Sequence, residues 1–256
     1  MARINRPAFF FLFALTACAA DPAPDSTARV AEVAWPAIVQ ARDAVQQVIP
    51  PVALPRETVS PAAAALAIRW EITSPSYYQK RLRRPVWPGG ASGVTWCVGY
   101  DGGHQTRAVI ARDWPTHKSA DRLVMTSGLT GQTARAALPK FRDIETDYPD
   151  CETVFREVTL PVYQQLAKRA FRDGWDKLSP DAQGSLTITV SNRGDGMTGD
   201  RRREMRALRD ECVPAGDVGC MARQYRSMCR IWQGTDIGPG LCARYEDTAR
   251  LAEGGL

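Results

Sequence analysis

Two neighbouring stretches decide the fold: Ala64-Ala-Leu-Ala-Ile-Arg-Trp-Glu71 and Pro85-Val-Trp-Pro-Gly-Gly-Ala-Ser-Gly-Val-Thr-Trp-Cys-Val-Gly-Tyr-Asp101. The first is apolar until its final arginine, tryptophan and glutamate, which predicts a helix with a carboxylate at its C-terminal end. Ser60 and Pro61 precede it, and a capping serine followed by proline at the first helical position is typical of a helix start. The helix is therefore expected from residue 61 to near Ser74.

The second stretch predicts a β-strand after a glycine-rich loop. Val94, Trp96, Val98 and Tyr100 alternate with smaller or polar residues, and β-forming residues with a period of two indicate a strand. The pair Gly102-Gly103 predicts the turn that ends this strand. The loop and the strand would form a small β-lobe.

Helical patterns dominate the rest of the chain, in the segments 106–114, 130–140, 151–172, 182–192, 201–211, 217–232 and 240–252. Ser179 with Pro180 favours a helix start, although the β-branched residues at 187–190 leave that segment open between helix and strand. Asp200 is expected to cap the helix that follows it. The prediction is an α+β fold, mostly α, with the small β-lobe facing a larger helical lobe across a cleft.

The N-terminus has the pattern of a targeting segment. Arg3 and Arg6 precede an apolar run at 8–15 that is too short to span a membrane, and Leu15-Thr-Ala-Cys18 fits a bacterial lipoprotein signal. The alternative is an ordinary secretory signal cut after Ala17 or Ala20. The lipoprotein pattern predicts that Cys18 carries a lipid.

Three regions follow from this pattern: a signal peptide at 1–17, a lipidated tether and spacer helix at 18–60, and one globular domain at 61–256. A lipidated Cys18 would anchor the protein to a bacterial membrane without spanning it. Ala20, two residues after the cysteine, favours the periplasmic face of the outer membrane. The expected partners include this membrane, reached through the lipid anchor at Cys18.

The cysteines predict disulfide bonds. Once Cys18 is set aside, six of the seven cysteines remain, and an even number in an exported protein favours pairing. Proximity in the sequence favours Cys212–Cys220 and Cys229–Cys242, which leaves Cys97–Cys151 to join the hairpin to the helical body. Free buried thiols are the alternative. Zinc is not expected, because the chain has no C-x-x-C pair and only two histidines.

The order of these features resembles the phage-type lysozymes, glycoside hydrolase family 24 and its relatives, over roughly residues 61–253. Trp70-Glu71 matches the family's catalytic glutamate at the end of the first helix, and the segment 95–99 matches its hairpin. The helices of the family's C-terminal lobe are matched by 178–194, 199–205, 227–232 and 240–246. The resemblance implies a lysozyme-like fold.

The resemblance also implies that the protein cleaves the glycan strands of peptidoglycan, with Glu71 as general acid. The two positions where the family's second carboxylate would lie hold Lys80 and Gly89, so that residue is absent. Three readings follow. Asp101 supplies a carboxylate from beyond the strand, with a turn or capping role as its alternative; Glu71 acts alone, as in lytic transglycosylases; or catalysis is lost and the protein binds cell wall or a protein partner.

Further site residues are expected around the cleft. Thr95 would orient a water molecule or contact the sugar as part of the catalytic group. The candidates for substrate binding are Tyr100, His104, Arg244 and Trp87, although Tyr100 has packing as its alternative and Arg244 has a pairing with Glu71. Cys97 stands where the family has a glycine.

The net charge of +5 suits an acidic polymer such as peptidoglycan. Nucleic acid is not expected, because no nucleic-acid-binding motif is present. A monomer is expected, and no cofactor or metal is implied.

Overall fold

Helices make up most of the chain in the computed structural model, which describes residues 59–72 and 74–255. The α-helices are α1 (Pro61–Ile72), α2 (Pro75–Tyr77), α3 (Arg107–Asp113), α4 (Ala120–Val124), α5 (Gly131–Ala137), α6 (Tyr148–Val154), α7 (Leu160–Ala170), α8 (Pro180–Arg193), α9 (Arg203–Ala207), α10 (Val213–Ala215), α11 (Val218–Ser227) and α12 (Gly238–Ala252). Two strands, β1 (Thr95–Trp96) and β2 (Tyr100–Asp101), pair antiparallel. This bears out the predicted α+β class with mostly helical structure. The predicted signal peptide, the lipidation of Cys18 and the spacer helix lie outside the described residues.

Shorter helical segments extend several of these helices. Turns of π-helix at Tyr78–Leu82, Phe155–Thr159 and Leu208–Cys212 continue α2, α6 and α9. Turns of 3-10 helix occur at Gly102–His104, Leu138–Lys140, Trp175–Lys177, Asp200–Arg202 and Met228–Trp232. The π-turn at Phe155–Thr159 joins α6 to α7 in one long helix. Within the described ranges, no helix is both long and apolar enough to cross a bilayer.

Helix α1 begins and ends close to where its sequence predicts. The backbone N–H of Ala63 donates to the Ser60 hydroxyl at 3.1 Å, which confirms the predicted cap. The helix then packs against α8 so closely that a Cβ atom on Gly184 would lie 2.3 Å from the Cβ of Ala63. The glycine therefore allows α1, and with it Glu71, to approach the central helix of the other lobe.

The predicted continuous strand over 94–101 is wrong, because the chain reverses inside it. Thr95 pairs with Asp101 and Trp96 pairs with Tyr100, so the turn lies between them. Cys97 has φ +60° and Gly99 has φ +74°, and such left-handed backbone ends a strand. The alternating aromatic residues serve a different purpose: the rings of Trp96 and Tyr100 lie 4.9 Å apart inside the core.

The β-branched run at 187–190 is helical. Ser179 accepts a hydrogen bond from the backbone N–H of Ala182 at 3.2 Å, which starts α8. The hydroxyls of Thr187 and Thr189 donate to carbonyls four residues earlier, at 2.9 and 2.8 Å. Helical threonines can satisfy buried hydroxyls in this way, so tertiary burial decides what the local pattern leaves open.

Asp200 does not cap the next helix, contrary to the prediction. It begins a 3-10 turn, and its carboxylate accepts a hydrogen bond from Arg230 at 2.9 Å. The long-range ion pair takes the carboxylate that a local cap would use.

Two apolar cores lie on either side of the long helix. One gathers buried side chains from α1, the hairpin and the segments up to α7, together with Ile188 and Leu251. The other gathers the inner faces of the helices from α7 to α12. The long helix contributes to both cores, so it links two lobes of unequal composition.

Three disulfide bonds confirm the predicted pairing. Cys97 bonds to Cys151, Cys212 to Cys220, and Cys229 to Cys242, with Cα–Cα distances of 5.5, 5.3 and 4.8 Å. The first joins the turn of the hairpin to α6. The other two close short loops within the helical lobe.

Candidate functional site

The clearest polar feature between the lobes is an ion pair of Glu71 and Arg244. Glu71 lies in the last turn of α1 and Arg244 lies in α12, and the guanidinium Nη2 donates to Oε1 of the carboxylate at 3.0 Å. The Glu71 side chain is 32% exposed, whereas that of Arg244 is 2% exposed. The structure thus brings together two predicted site residues that are 173 positions apart. A buried cation holds a carboxylate that reaches solvent.

The environment of Arg244 makes this pair more than a surface contact. Its Nε and Nη1 atoms are buried and have no hydrogen-bond partner within the described part of the chain. Burial of a guanidinium is costly unless a carboxylate compensates its charge. Glu71 supplies that charge, so the two residues constrain each other.

Tyr163 of α7 is a neighbour of the pair that the sequence analysis missed. Burial raises the pKa of its hydroxyl well above the usual range, the negative charge of Glu71 acts in the same direction, and Arg244 opposes it. Tyr163 lies on the apolar stripe of its helix, so nothing in its local pattern distinguishes it from a core residue. Its closeness to Glu71 follows from how three helices meet.

A second ion pair fixes α1 against α12. Arg69 donates to Asp247 at 2.5 Å; these residues lie two positions before Glu71 in α1 and three positions after Arg244 in α12. The two ion pairs hold α1 in register with α12, so the position of Glu71 depends on both.

Asp101 has a different environment from Glu71. It is 0% exposed, and its carboxylate accepts hydrogen bonds from the backbone N–H groups of Gly93 at 2.8 Å and Gly103 at 2.9 Å. The Nδ1 atom of His104 lies 3.0 Å from the same carboxylate. These contacts hold the glycine-rich loop and the turn after β2, and they place the carboxylate inside the hairpin rather than at the protein surface.

The other hairpin candidates also lie in the interior. Thr95 is buried and donates to the carbonyl of Gly93 at 3.2 Å. Tyr100 is buried beside Trp114, and its hydroxyl donates to Asp113 at 2.8 Å. Packing, the alternative for Tyr100, is thus what the structure shows, and neither hydroxyl is presented to a surface ligand.

Trp87 is half-buried at the start of the glycine-rich loop. Its indole N–H donates to the Ser92 carbonyl at 3.1 Å, and the guanidinium carbon of Arg135 lies 5.5 Å from its ring centroid. The ring therefore stacks with a cation of α5 and braces the loop. The structure does not bring it into contact with Glu71.

The described residues contain no group of three or more histidine, cysteine, aspartate or glutamate side chains placed to hold a metal ion. What the geometry defines is a partly exposed carboxylate, oriented by a buried guanidinium, where α1 meets α12. The chain has no match among models of known protein families, among curated proteins or among solved structures. The function is therefore argued from the site itself.

Proposed function

We propose that this protein is a lysozyme-like enzyme that cleaves the glycan strands of peptidoglycan, with Glu71 as general acid. The observation that carries the proposal is the partly exposed Glu71 carboxylate bound by the buried Arg244 at 3.0 Å. The order of elements supports it: a helix that ends in a glutamate, a hairpin, a long linking helix and a helical lobe. That is the order expected of a lysozyme-like fold.

The pair suits proton donation to a glycosidic oxygen. Arg244 binds Oε1 and fixes the orientation of the carboxyl group, whereas Oε2 has no hydrogen-bond partner among the described residues. Transfer of a proton from Oε2 of the carboxyl group to the leaving oxygen would leave Glu71 as the carboxylate that Arg244 stabilises, while the bond to the anomeric carbon breaks. A fixed carboxyl group lowers the barrier because the proton is already aligned with the bond.

Because Asp101 is buried, the proposed mechanism uses no second carboxylate. The substrate's own acetamido oxygen would attack the anomeric carbon in place of a second carboxylate, as substrate-assisted glycosidases do. The 6-hydroxyl of the same sugar then displaces the acetamido oxygen and returns a proton to Glu71. The product is an anhydro-sugar end, and no water is consumed.

The three disulfides support the proposed location, since such bonds persist in oxidising compartments. A lipid on Cys18 would hold the enzyme at the periplasmic face of the outer membrane, next to its substrate. Labelling of cells with an alkyne-bearing fatty acid tests this point. A Cys18→Ser chain that is still labelled would contradict it.

The function is tested by incubating the oxidised whole chain with purified peptidoglycan and measuring the soluble fragments released. Glu71→Gln should lower the rate by about a hundredfold or more, the range for loss of a general acid. Glutamine keeps an oxygen that can accept the hydrogen bond of Arg244 but not the negative charge, so a denaturant titration of the variant must show that it is folded at the assay temperature. Glu211→Gln, at an exposed position of the helical lobe, is the matched control and should keep full activity. Full activity in Glu71→Gln would overturn the proposal.

The second candidate is a catalytically inactive lysozyme-fold lipoprotein that binds cell wall or a protein partner. The burial of Asp101 favours it, as does the disulfide that ties Cys97 in the hairpin turn to α6. This candidate predicts that the wild type sediments with peptidoglycan yet releases no fragments. Fragment release that depends on Glu71 would exclude it.

A further inference from the structure

A cluster of three arginines lies apart from the Glu71 pair, and we call Arg193, Arg201 and Arg202 the arginine cluster. Arg193 ends α8, and the other two belong to the 3-10 turn before α9. Arg193 donates to the carbonyl of Arg201, and Arg202 donates to the carbonyl of Arg193. These reciprocal bonds to backbone carbonyls hold the side chains against each other despite their like charges.

The arginine cluster forms no ion pair with a carboxylate in the part of the chain that the structure describes. Among the described residues, no carboxylate oxygen lies within 4.0 Å of any of its guanidinium nitrogens. Neighbouring arginines behave differently: Arg226 pairs with two glutamates and Arg230 pairs with Glu204 at 2.5 Å. The lobe thus pairs these arginines and leaves the cluster without a counter-ion of its own.

The arginines of the cluster are partly or fully buried, which raises the energetic cost of leaving their charge without a counter-ion. Arg193 is only 7% exposed, and its Nη1 donates to the hydroxyl of Tyr245 at 2.9 Å. Burial, and then the charge of Arg193, lower the pKa of Arg202 to about 10. An uncompensated buried guanidinium is costly, so this arrangement favours an added anion.

Two donors of the arginine cluster are unsatisfied. The Nε atom of Arg193 and the Nη1 atom of Arg202 are buried and have no hydrogen-bond partner in the described part of the chain. Arg201 is held by a different contact, since its guanidinium carbon lies 4.7 Å from the ring centroid of Trp232. Three guanidinium groups are thus fixed in place, and two of them offer unused N–H groups.

We propose that the arginine cluster is a binding site for a phosphate group. Guanidinium forks match the tetrahedral oxygens of phosphate, and a phosphate dianion neutralises more of the charge than a single carboxylate does. The site is independent of the proposed glycan cleavage. Tyr245 contacts the cluster while Arg244 contacts Glu71, and successive residues of a helix point in directions about 100° apart.

The test measures the melting temperature of the oxidised whole chain with inorganic phosphate, and with acetate or chloride at equal ionic strength. Phosphate alone should raise the melting temperature in a saturable way, because a ligand that binds only the folded state stabilises it. Arg202→Gln should weaken phosphate binding about tenfold or more, the loss expected for charge-assisted hydrogen bonds. Arg203→Gln is the matched control, since Arg203 is the exposed neighbour in the same run, and it should bind like the wild type.

Asp195→Asn provides a variant that does not depend on removing a buried residue. The charge of Asp195 raises the pKa of Arg202, so this carboxylate lies close enough to repel a bound anion. Its removal should tighten phosphate binding. A phosphate effect equal to that of acetate, or an equal effect in the wild type and Arg202→Gln, would overturn the proposal.

Two sources of the phosphate group are separated by flotation with vesicles. Binding to phosphatidylglycerol vesicles and not to phosphatidylcholine vesicles, lost in Arg202→Gln and kept in Arg203→Gln, would assign the site to a lipid headgroup. Stabilisation by inorganic phosphate without vesicle binding would assign it to a small soluble phosphate. Both assignments require the stabilisation by inorganic phosphate, and its absence would contradict the phosphate site whatever the vesicles show.

Discussion

Glu71 and Asp101 show how burial separates two carboxylates that look equivalent in the sequence. Glu71 is one-third exposed beside a buried guanidinium, while Asp101 is enclosed by backbone N–H groups. The sequence predicts the helix that presents Glu71, because a local cap and a run of apolar residues determine it. It could not predict the burial of Asp101, which depends on the glycine-rich loop folding back over the second strand.

Replacement of Asp101 by asparagine tests whether it is structural or catalytic. Asparagine offers one acceptor oxygen where aspartate offers two, so the N–H of Gly93 or of Gly103 loses its partner. A buried unpaired N–H should lower the free energy of unfolding by about 1–3 kcal/mol, measured by denaturant titration. The fraction that remains folded should keep its activity. An Asp101→Asn protein with normal stability and no activity would instead favour Asp101 as the second catalytic carboxylate.

The buried His117 predicts how stability depends on pH. Burial lowers its pKa below the usual value of 6.5; the charges of Asp150 and Asp147 oppose this shift and that of Lys118 adds to it. As the pH falls through 6.5, the unfolded chain takes up a proton that the folded chain does not. The free energy of unfolding should therefore be highest above pH 6.5 and should fall as the pH is lowered towards the folded-state pKa.

Denaturant titrations between pH 7.5 and pH 5 measure this slope. His117→Asn should flatten it relative to the wild type, because the histidine that titrates is then absent. An unchanged slope in that variant would assign the pH dependence to other groups.

At the scale of elements, the approach of α1 to α8 determines where Glu71 lies. Gly184→Ala would place a Cβ 2.3 Å from the Cβ of Ala63, so one helix must move. We expect a loss of about 1–3 kcal/mol in the free energy of unfolding, together with lower activity, because α1 carries Glu71. Ala63→Gly should restore the stability and the activity in the double variant.

Gly196→Ala is the control, because no atom lies within 4 Å of the added methyl group, and it should change neither the stability nor the activity. If Ala63→Gly does not restore the stability lost in Gly184→Ala, the contact between these two residues is not the cause of that loss.

The disulfides should contribute unequally to stability. Cys97–Cys151 closes a separation of 54 residues, against 8 and 13 for the other two. Chain entropy then predicts losses of about 4 kcal/mol for the long loop and about 2.5–3 kcal/mol for each short one. Denaturant titration of paired cysteine-to-serine variants measures these differences. A long-loop variant as stable as the short-loop variants would show that the hairpin is held mainly by its packing.

The sequence predicts the starts of the helices, but it does not predict the reversal of the chain in the hairpin. Caps at Ser60 and Ser179 act within one turn, so local pattern suffices for them. The reversal after Trp96 depends on left-handed backbone at Cys97 and Gly99, and this is not visible in an alternating pattern of apolar residues. Asp200 shows the same limit, since a partner 30 residues away takes the carboxylate that a cap would use.

At the scale of the whole molecule, residues far apart in sequence create both candidate sites. Arg244 reaches Glu71 across 173 positions, and Tyr245 reaches Arg193 across 52. The resemblance to lysozymes named Glu71 and Arg244, but it gave no sign of Tyr163 or of the arginine cluster. These emerge only when α1, α7, α8 and α12 pack together. Of the three consecutive arginines at 201–203, Arg201 and Arg202 are half-buried and Arg203 is exposed.

Mass spectrometry of the fragment ends tests directly whether Glu71 cleaves glycan strands without a second carboxylate. The oxidised whole chain and its Glu71→Gln variant are each incubated with purified peptidoglycan, and the soluble products are analysed. We expect fragments with anhydro-muramic ends from the wild type and none from the variant. Fragments with reducing muramic ends would contradict the one-carboxylate mechanism, and no fragments from either protein would contradict catalysis altogether.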